Sequence, residues 1–390
     1  MNVFLFDVDG VLIHPLGYRA ALMRTVGHFA TAMGLSGMAP THAEIDAFEA
    51  NGITTEWDSV PMCVGHLLLE VARQRPDLLR ADLPASLGAV QVAAVSIERP
   101  DYAVIAGQVG ATAGDERPSL VALRLLRAEA AGLSDGVARA LVPLLDTLLA
   151  DTHVIEAPCT RVFQHYTLGD DGFARAYGQP ADFATPSLLR DLDRPLLEPS
   201  TRARLEAARK SGDLHGAVYT ARPSLPPADS LSPPHDYAPE AEIALELVGM
   251  GGWPLIGFGR VLWLAEQHAK RRDAYVKPSP VQALAAIGAA ASGREAPSLE
   301  AARTLVEDGH LSGSLAALPS RLTITVFEDT TSGVQAMMQA ADALRSQGIE
   351  ATVRTVGVAP AGPKREALAP LAAVLVDDIN AGVEWALAGR

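Results

Sequence analysis

The chain has 390 residues, of which 48% are hydrophobic and 20% charged, so it can bury a sizeable core and has the length of at least two domains. Its formal net charge of −14 argues against a general nucleic-acid binder and against attachment to an anionic membrane surface. Two cysteines, Cys63 and Cys159, exclude a disulfide framework and a cysteine-rich zinc site, although a single bridge stays open at this level.

The first element is VFLF (3–6), a short apolar run that reads as a fully buried parallel strand. It ends in Asp7 and Asp9, and Gly10 after them suggests a sharp turn. The amino terminus lacks a basic region and a cleavage site, and no apolar run approaches the ~18 residues of a membrane span. The expected location is therefore the cytoplasm. From about Tyr18 to Leu192, apolar residues recur at helical spacing, as in HLLLEVARQ (66–74) and SLVALRLLRAEAAG (119–132), and convincing strands are scarce. This stretch reads as a helical insertion.

Alternation then returns. PSTRARLEAARKSG (199–212) is a helix with a Ser/Thr start and a Gly stop, and HGAVYT (215–220) is a strand. A proline-rich stretch, 223–239, reads as a loop, and helices follow at 240–250, 259–272 and 281–291, with a weak strand at 254–257. Residues 292–298 and the region up to Pro319 read as a surface insertion. LTITVF (322–327) is a strong strand, 333–348 a helix closed by glycine, 351–358 a strand and 372–378 a last one, with Asp377 and Asp378 as a plain strand end. Strands alternating with helices predict an α/β chain with a doubly wound, parallel, Rossmann-like sheet.

In such sheets ligands bind beyond the carboxyl ends of the strands. Here those ends offer Asp7 and Asp9, Thr220, and the pair Glu328 and Asp329, while Lys277 stands just before a helix. Each has a bland reading: a solvated strand end, a surface lysine, a helix cap. Together, the carboxylates, hydroxyl and ammonium suit phosphoryl transfer with a hard cation such as Mg²⁺.

FDVDGV (6–11), Thr220, KPSP (277–280) and EDTTSG (328–333) resemble the four ordered motifs of the haloacid dehalogenase (HAD) superfamily. EDTTSGVQA looks most like the phosphatase and β-phosphoglucomutase branch. The resemblance implies a core domain, 1–16 and 195–390, and a mostly helical cap domain, 17–194, larger than is usual there. It implies that Asp7 is the nucleophile and that Asp9 is the general acid and then the base. Thr220 and Lys277 would bind the transferring phosphoryl group. Mg²⁺ would be bound by Asp7, the Asp9 backbone carbonyl and Asp329, with Glu328 direct or through a water.

Arg222, two residues past Thr220, is a candidate for a substrate anion and equally for a loop-surface arginine. In the insertion, Arg161, Gln164, His165 and Tyr166 are candidates to face the substrate, against the alternative of a helix with one wet face. The leading expectation is a Mg²⁺-dependent phosphatase for a small phosphorylated metabolite, with no nucleic-acid or membrane partner and an oligomeric state that the sequence leaves open. A sugar phosphomutase stays open beside it, and Asp9 argues against a dehalogenase. A non-catalytic binding protein for a phosphorylated ligand is a different class, and the intact set of Asp7, Asp9, Lys277 and Asp329 argues against it.

Overall fold

The structure is a computed structural model that describes residues 1–114, 116–230 and 237–389. The chain divides into two compact units: Met1–Pro15, Arg175–Gly178 and Leu192–Arg390 form the first, and Leu16–Ala174 with Gln179–Asp191 the second.

The first unit carries a six-stranded sheet. Its strands are β1 (Asn2–Phe6), β4 (His215–Tyr219), β5 (Leu255–Ile256), β6 (Arg321–Glu328), β7 (Glu350–Val358) and β8 (Val374–Val376), in the spatial order β5-β4-β1-β6-β7-β8. Every pairing is parallel. A separate two-stranded ribbon pairs β2 (Ile13–His14) antiparallel with β3 (Arg194–Pro195), where the chain leaves and re-enters this unit.

β1 is central because both of its faces are apolar. Val3 and Leu5 enter one core with Ile324 and Val326, and Phe4 and Phe6 enter the opposite core with Val218 and Phe327. This is the period-two alternation of a strand covered on both sides. Phe6 is in register with Phe327, and their rings stack at 4.5 Å between centroids. Phe6→Ala would cost about 3–5 kcal/mol, the usual range for emptying a buried aromatic site.

The chain runs outward from β1 through β4 to β5, then crosses back to β6 on the other side of β1. The direction of winding thus reverses at β1, between β4 and β6. Such a switch point leaves a crevice at the carboxyl ends of the two flanking strands.

The region 292–319, expected to be a surface insertion, belongs to the core. Its helix Ala296–Asp308 buries Leu299, Ala301, Ala302 and Leu305 in the same cluster as Val3 and Leu5, and Leu315 follows them inside. Small residues cause this close packing: a Cβ on Gly288 would crowd the hydroxyls of Ser298 and Ser314. Ser298, in turn, satisfies its hydroxyl on the Arg294 carbonyl at 2.6 Å. Serines that read as surface are therefore contacts between helices. Part of the proline-rich stretch 223–239, residues 231–236, lies outside the described residues.

The second unit is built of helices, centred on Glu56–Gln74, which packs against Leu16–Ala32, Pro118–Leu133 and Asp135–Leu149. Cys63 and Cys159 are both buried here as free thiols, which closes the question of a bridge. The stretch Pro158–Tyr177 is helical but broken at Gly169 (φ 75°), where a side chain would strike the backbone of Ser187. Among the described residues, no helix is long and apolar enough to cross a membrane.

Candidate active site

Asp7 directly follows β1 and keeps its place in the sheet, since its backbone N–H donates to the Phe327 carbonyl at 3.0 Å. Glu328 ends β6 and Asp329 follows it. The three carboxylates are buried, and each offers an oxygen within 4.8 Å of the others. Two glycines allow this crowding. Gly10 (φ +75°) lies where a Cβ would overlap the Asp329 carboxylate, and a Cβ on Gly333 would overlap that of Glu328. The glycine that closes EDTTSG, inside helix Thr331–Ser346, therefore has a packing reason.

Lys277 is the internal counter-ion. Its buried ammonium donates to Asp7 Oδ1 at 3.0 Å and to Glu328 Oε1 at 2.6 Å, and it lies 3.9 Å from the centroid of the Tyr219 ring. Gln282 holds the loop that carries it. The Gln282 amide oxygen accepts from the Lys277 N–H at 3.1 Å, while its NH₂ donates to the carbonyls of Thr220 and Ile256 at 2.7 and 2.9 Å. One buried amide thus ties Lys277 to the ends of β4 and β5. Glu328 Oε2 accepts from the N–H and hydroxyl of Thr330, the residue that caps helix Thr331–Ser346. Asp329 Oδ2 accepts from Lys364 Nζ at 2.6 Å.

The electrostatics follow from burial. Desolvation, the largest influence, pushes Asp7 up to about 8; Lys277 opposes the rise, and the Glu328, Asp329 and Asp9 charges add to it. Burial likewise raises Asp329 to about 6, with Lys364 opposing and Glu328 adding. For Lys277 burial works against the charge, but Asp7 and Glu328 outweigh it, so its affinity for the proton is raised. An all-oxygen donor set that is buried and crowded could hold a metal ion.

Thr220 follows β4 and is buried; its hydroxyl oxygen accepts from the Arg222 N–H at 3.1 Å. Asp9 stands apart from the acidic trio, with its carboxylate held by Arg222. Arg222 is neither a surface arginine nor open to solvent. Its side chain is fully buried and its guanidinium is occupied by Asp9 and Asp193.

Arg161 and His165 belong to the second unit. Arg161 makes a two-pronged pair with Asp182 at 2.6 and 2.7 Å and also donates to Gln179 at 2.8 Å. His165 is buried between the rings of Phe173 and Phe183. Its Nδ1 meets the Arg161 carbonyl at 2.7 Å and its Nε2 accepts from the Asp182 N–H at 2.8 Å. These partners define a neutral ring with its proton on Nδ1, and burial lowers its pKa further.

Sequence reasoning missed Asp193, Gln282 and Lys364. Gln282 had a signal, as the one polar residue in VQALAAIGAAA. Lys364 had a weaker one, since it opens the helix after β7 on the same edge of the sheet. Asp193 had none.

No family model matches the chain, and no curated protein matches it in sequence. Among solved structures, the chain is similar to an X-ray structure of a Northeast Structural Genomics Consortium target, with a TM-score of 0.65 and 12% identity over 99% of each chain. A phosphatase, Tt82, from Thermococcus thioreducens gives a TM-score of 0.47 and 15% identity over 100% of both chains. A hydrolase from Pseudomonas syringae gives 0.34 and 12% over 97% of this chain and 95% of its own. At these identities the first likeness speaks for the fold alone.

Proposed function

We propose that the chain is a Mg²⁺-dependent phosphatase of the HAD type, acting on a small phosphorylated metabolite through a phosphoryl group carried on Asp7. The observation that carries this reading is the buried trio of Asp7, Glu328 and Asp329, joined to Lys277 at the switch point of a parallel sheet. A fold needs no such cluster, because three crowded buried carboxylates are costly unless a cation is part of their purpose. Asp7 and Asp329 would hold the Mg²⁺. Glu328, already accepting from Lys277 and Thr330, would support it directly or through a water. Bound there, the ion supplies positive charge that keeps these acids ionised and offsets the charge of the phosphoryl oxygens.

In the reaction, an Asp7 carboxylate oxygen attacks phosphorus while the bond from phosphorus to the substrate oxygen breaks. Asp9 gives its proton to the departing oxygen, and the alcohol leaves. Asp9, now a carboxylate, takes a proton from water as that water attacks the phosphorus of the acyl phosphate. The bond to Asp7 breaks, inorganic phosphate leaves and both acids return to their starting states. Lys277 and the Thr220 hydroxyl would bind phosphoryl oxygens, and Lys277 would also offset the charge of Asp7. The helical insertion, 17–194, is assigned the role of cap and of substrate choice. The protein works in the cytoplasm on this reading, without a nucleic-acid or membrane partner.

The experiment is a hydrolysis screen over sugar phosphates, phosphoglycolate, nucleotides and an aryl phosphate, with Mg²⁺ and with excess chelator. Activity with the ion and none with the chelator is the expected result. Full activity in chelator contradicts the proposal.

A further inference from the structure

Resting on that reading, we propose that Asp193 and Arg222 form a positioning pair that fixes where the Asp9 carboxylate stands. Arg222 Nη2 donates to Asp9 Oδ1 at 2.6 Å and to Asp193 Oδ2 at 3.0 Å, while Nε spans both Asp9 oxygens at 3.1 and 3.2 Å. Two edges of one planar guanidinium are therefore in use, one gripping Asp9 and the other reaching Asp193, with Nη1 also 3.5 Å from the Glu240 carbonyl. A lysine could not reproduce this arrangement.

Burial orders the three groups. The side chains of Arg222 and Asp193 are 0% exposed, and that of Asp9 is 35% exposed. Arg222 and Asp193 make the dry anchor, and Asp9 is the end that water and a leaving group can reach. The anchor is also fixed at its backbone. The Arg222 N–H donates to the Thr220 hydroxyl at 3.1 Å, and its carbonyl accepts from the Phe258 N–H at 3.0 Å. The turn that places Thr220 thus also places the guanidinium.

The two acids flank the same ribbon. Asp9 bridges to Ile13 at the start of β2, and Asp193 immediately precedes β3, its partner strand. A salt bridge that only pinned this ribbon would need Arg222 and one acid. The second acid puts Asp9, an otherwise rotatable side chain, under the control of a buried pair. General acid catalysis depends on that placement, because the donor must reach the departing oxygen within hydrogen-bond distance.

The test compares Asp193→Asn, Arg222→Lys and Arg222→Met with the parent protein, all checked for cooperative melting. The probes are phenyl phosphate, whose leaving group needs a proton, and para-nitrophenyl phosphate, whose leaving group needs little. We expect the phosphorylation step with phenyl phosphate to slow by about 10- to 100-fold, and the nitrophenyl step and KM to change by less than about threefold. Arg222→Lys should retain more activity than Arg222→Met. Equal slowing with both probes, or no slowing, overturns the proposal and leaves the pair a structural clamp.

Crystal structures of the parent and of Asp193→Asn supply a readout that needs no turnover. With its anchor weakened, the Arg222 guanidinium should shift in the variant and carry the Asp9 carboxylate with it, and an unmoved Asp9 overturns the proposal. If the parent transfers phosphoryl from neither probe, the phosphatase reading fails by itself while the crystallographic comparison still decides the pair.

Discussion

Replacing Lys277 with methionine tests the electrostatic centre of the site. The substitution keeps an unbranched chain of similar length and removes the charge. It deletes the hydrogen bonds to Asp7 and Glu328 and the cation over the Tyr219 ring, leaving two buried carboxylates without their counter-ion. Removing one member of a buried ion pair costs about 3–5 kcal/mol, a large fraction of the ~5–15 kcal/mol that holds a domain together. For a domain of this size each kcal/mol moves the melting temperature by about 2–4 °C, so a fall of roughly 6–20 °C is expected at pH 8 in chelator. The loss should shrink at pH 5, because burial already favours a proton on Asp7 and that proton can neutralise the abandoned carboxylate. It should also shrink in Mg²⁺, since the variant, having lost the competing ammonium, binds the ion more tightly than the parent and so gains more stability from it. Differential scanning calorimetry across pH and Mg²⁺ reads all three effects. A Lys277→Met protein that melts with the parent at pH 8 in chelator would refute the reasoning.

Gly333→Ala should cost the cation site more than the fold as a whole, because its Cβ would displace the Glu328 carboxylate; Mn²⁺ titration by calorimetry should show affinity reduced by tenfold or more, on the order of 1.4 kcal/mol. The metal-free protein should lose stability as pH rises from about 4 to about 8: the raised Asp7 and Asp329 bind protons in the folded state that the unfolded chain has already released, so the slope is negative through that window. Mg²⁺ should flatten or invert the slope, and a metal-free melting temperature that climbs over the same range would contradict it. Gln282→Leu removes the amide that joins Lys277 to the ends of β4 and β5; it leaves the buried carbonyls of Thr220 and Ile256 without that donor and should lower stability by about 1–3 kcal/mol, measured by urea unfolding.

What the sequence made legible was local. β1 could be read because four apolar residues stop at a carboxylate, and β6 because LTITVF does the same. Asp7, Glu328 and Asp329 could be grouped from the sequence, since parallel strands carry their carboxyl ends to one edge, and Lys277 joins them from the start of a helix. What escaped depends on long-range topology. Asp193 and Arg222 are 29 residues apart and meet only because the chain brings the start of β3 to the turn after β4, and no periodicity marks that meeting. The helix Ala296–Asp308 reads as surface because its inward face mixes Leu299 and Leu305 with Ser298, Ala301 and Ala302, whose small size lets the helices approach. Arg222 had the right position for a substrate contact, but its burial against two acids turns it inward.

The most direct measurement of the central claim is a rapid acid quench of the Asp9→Asn protein mixed with para-nitrophenyl phosphate and Mg²⁺, followed by digestion and mass spectrometry. The second carboxylate at the end of β1 should be what activates the attacking water, so its loss should leave the phosphoryl group on the enzyme. The account predicts one hydroxylamine-sensitive phosphoryl group, mapped to Asp7 and absent from Asp7→Asn. Release of nitrophenol with no covalent phosphate, or with phosphate on any other residue, would contradict it.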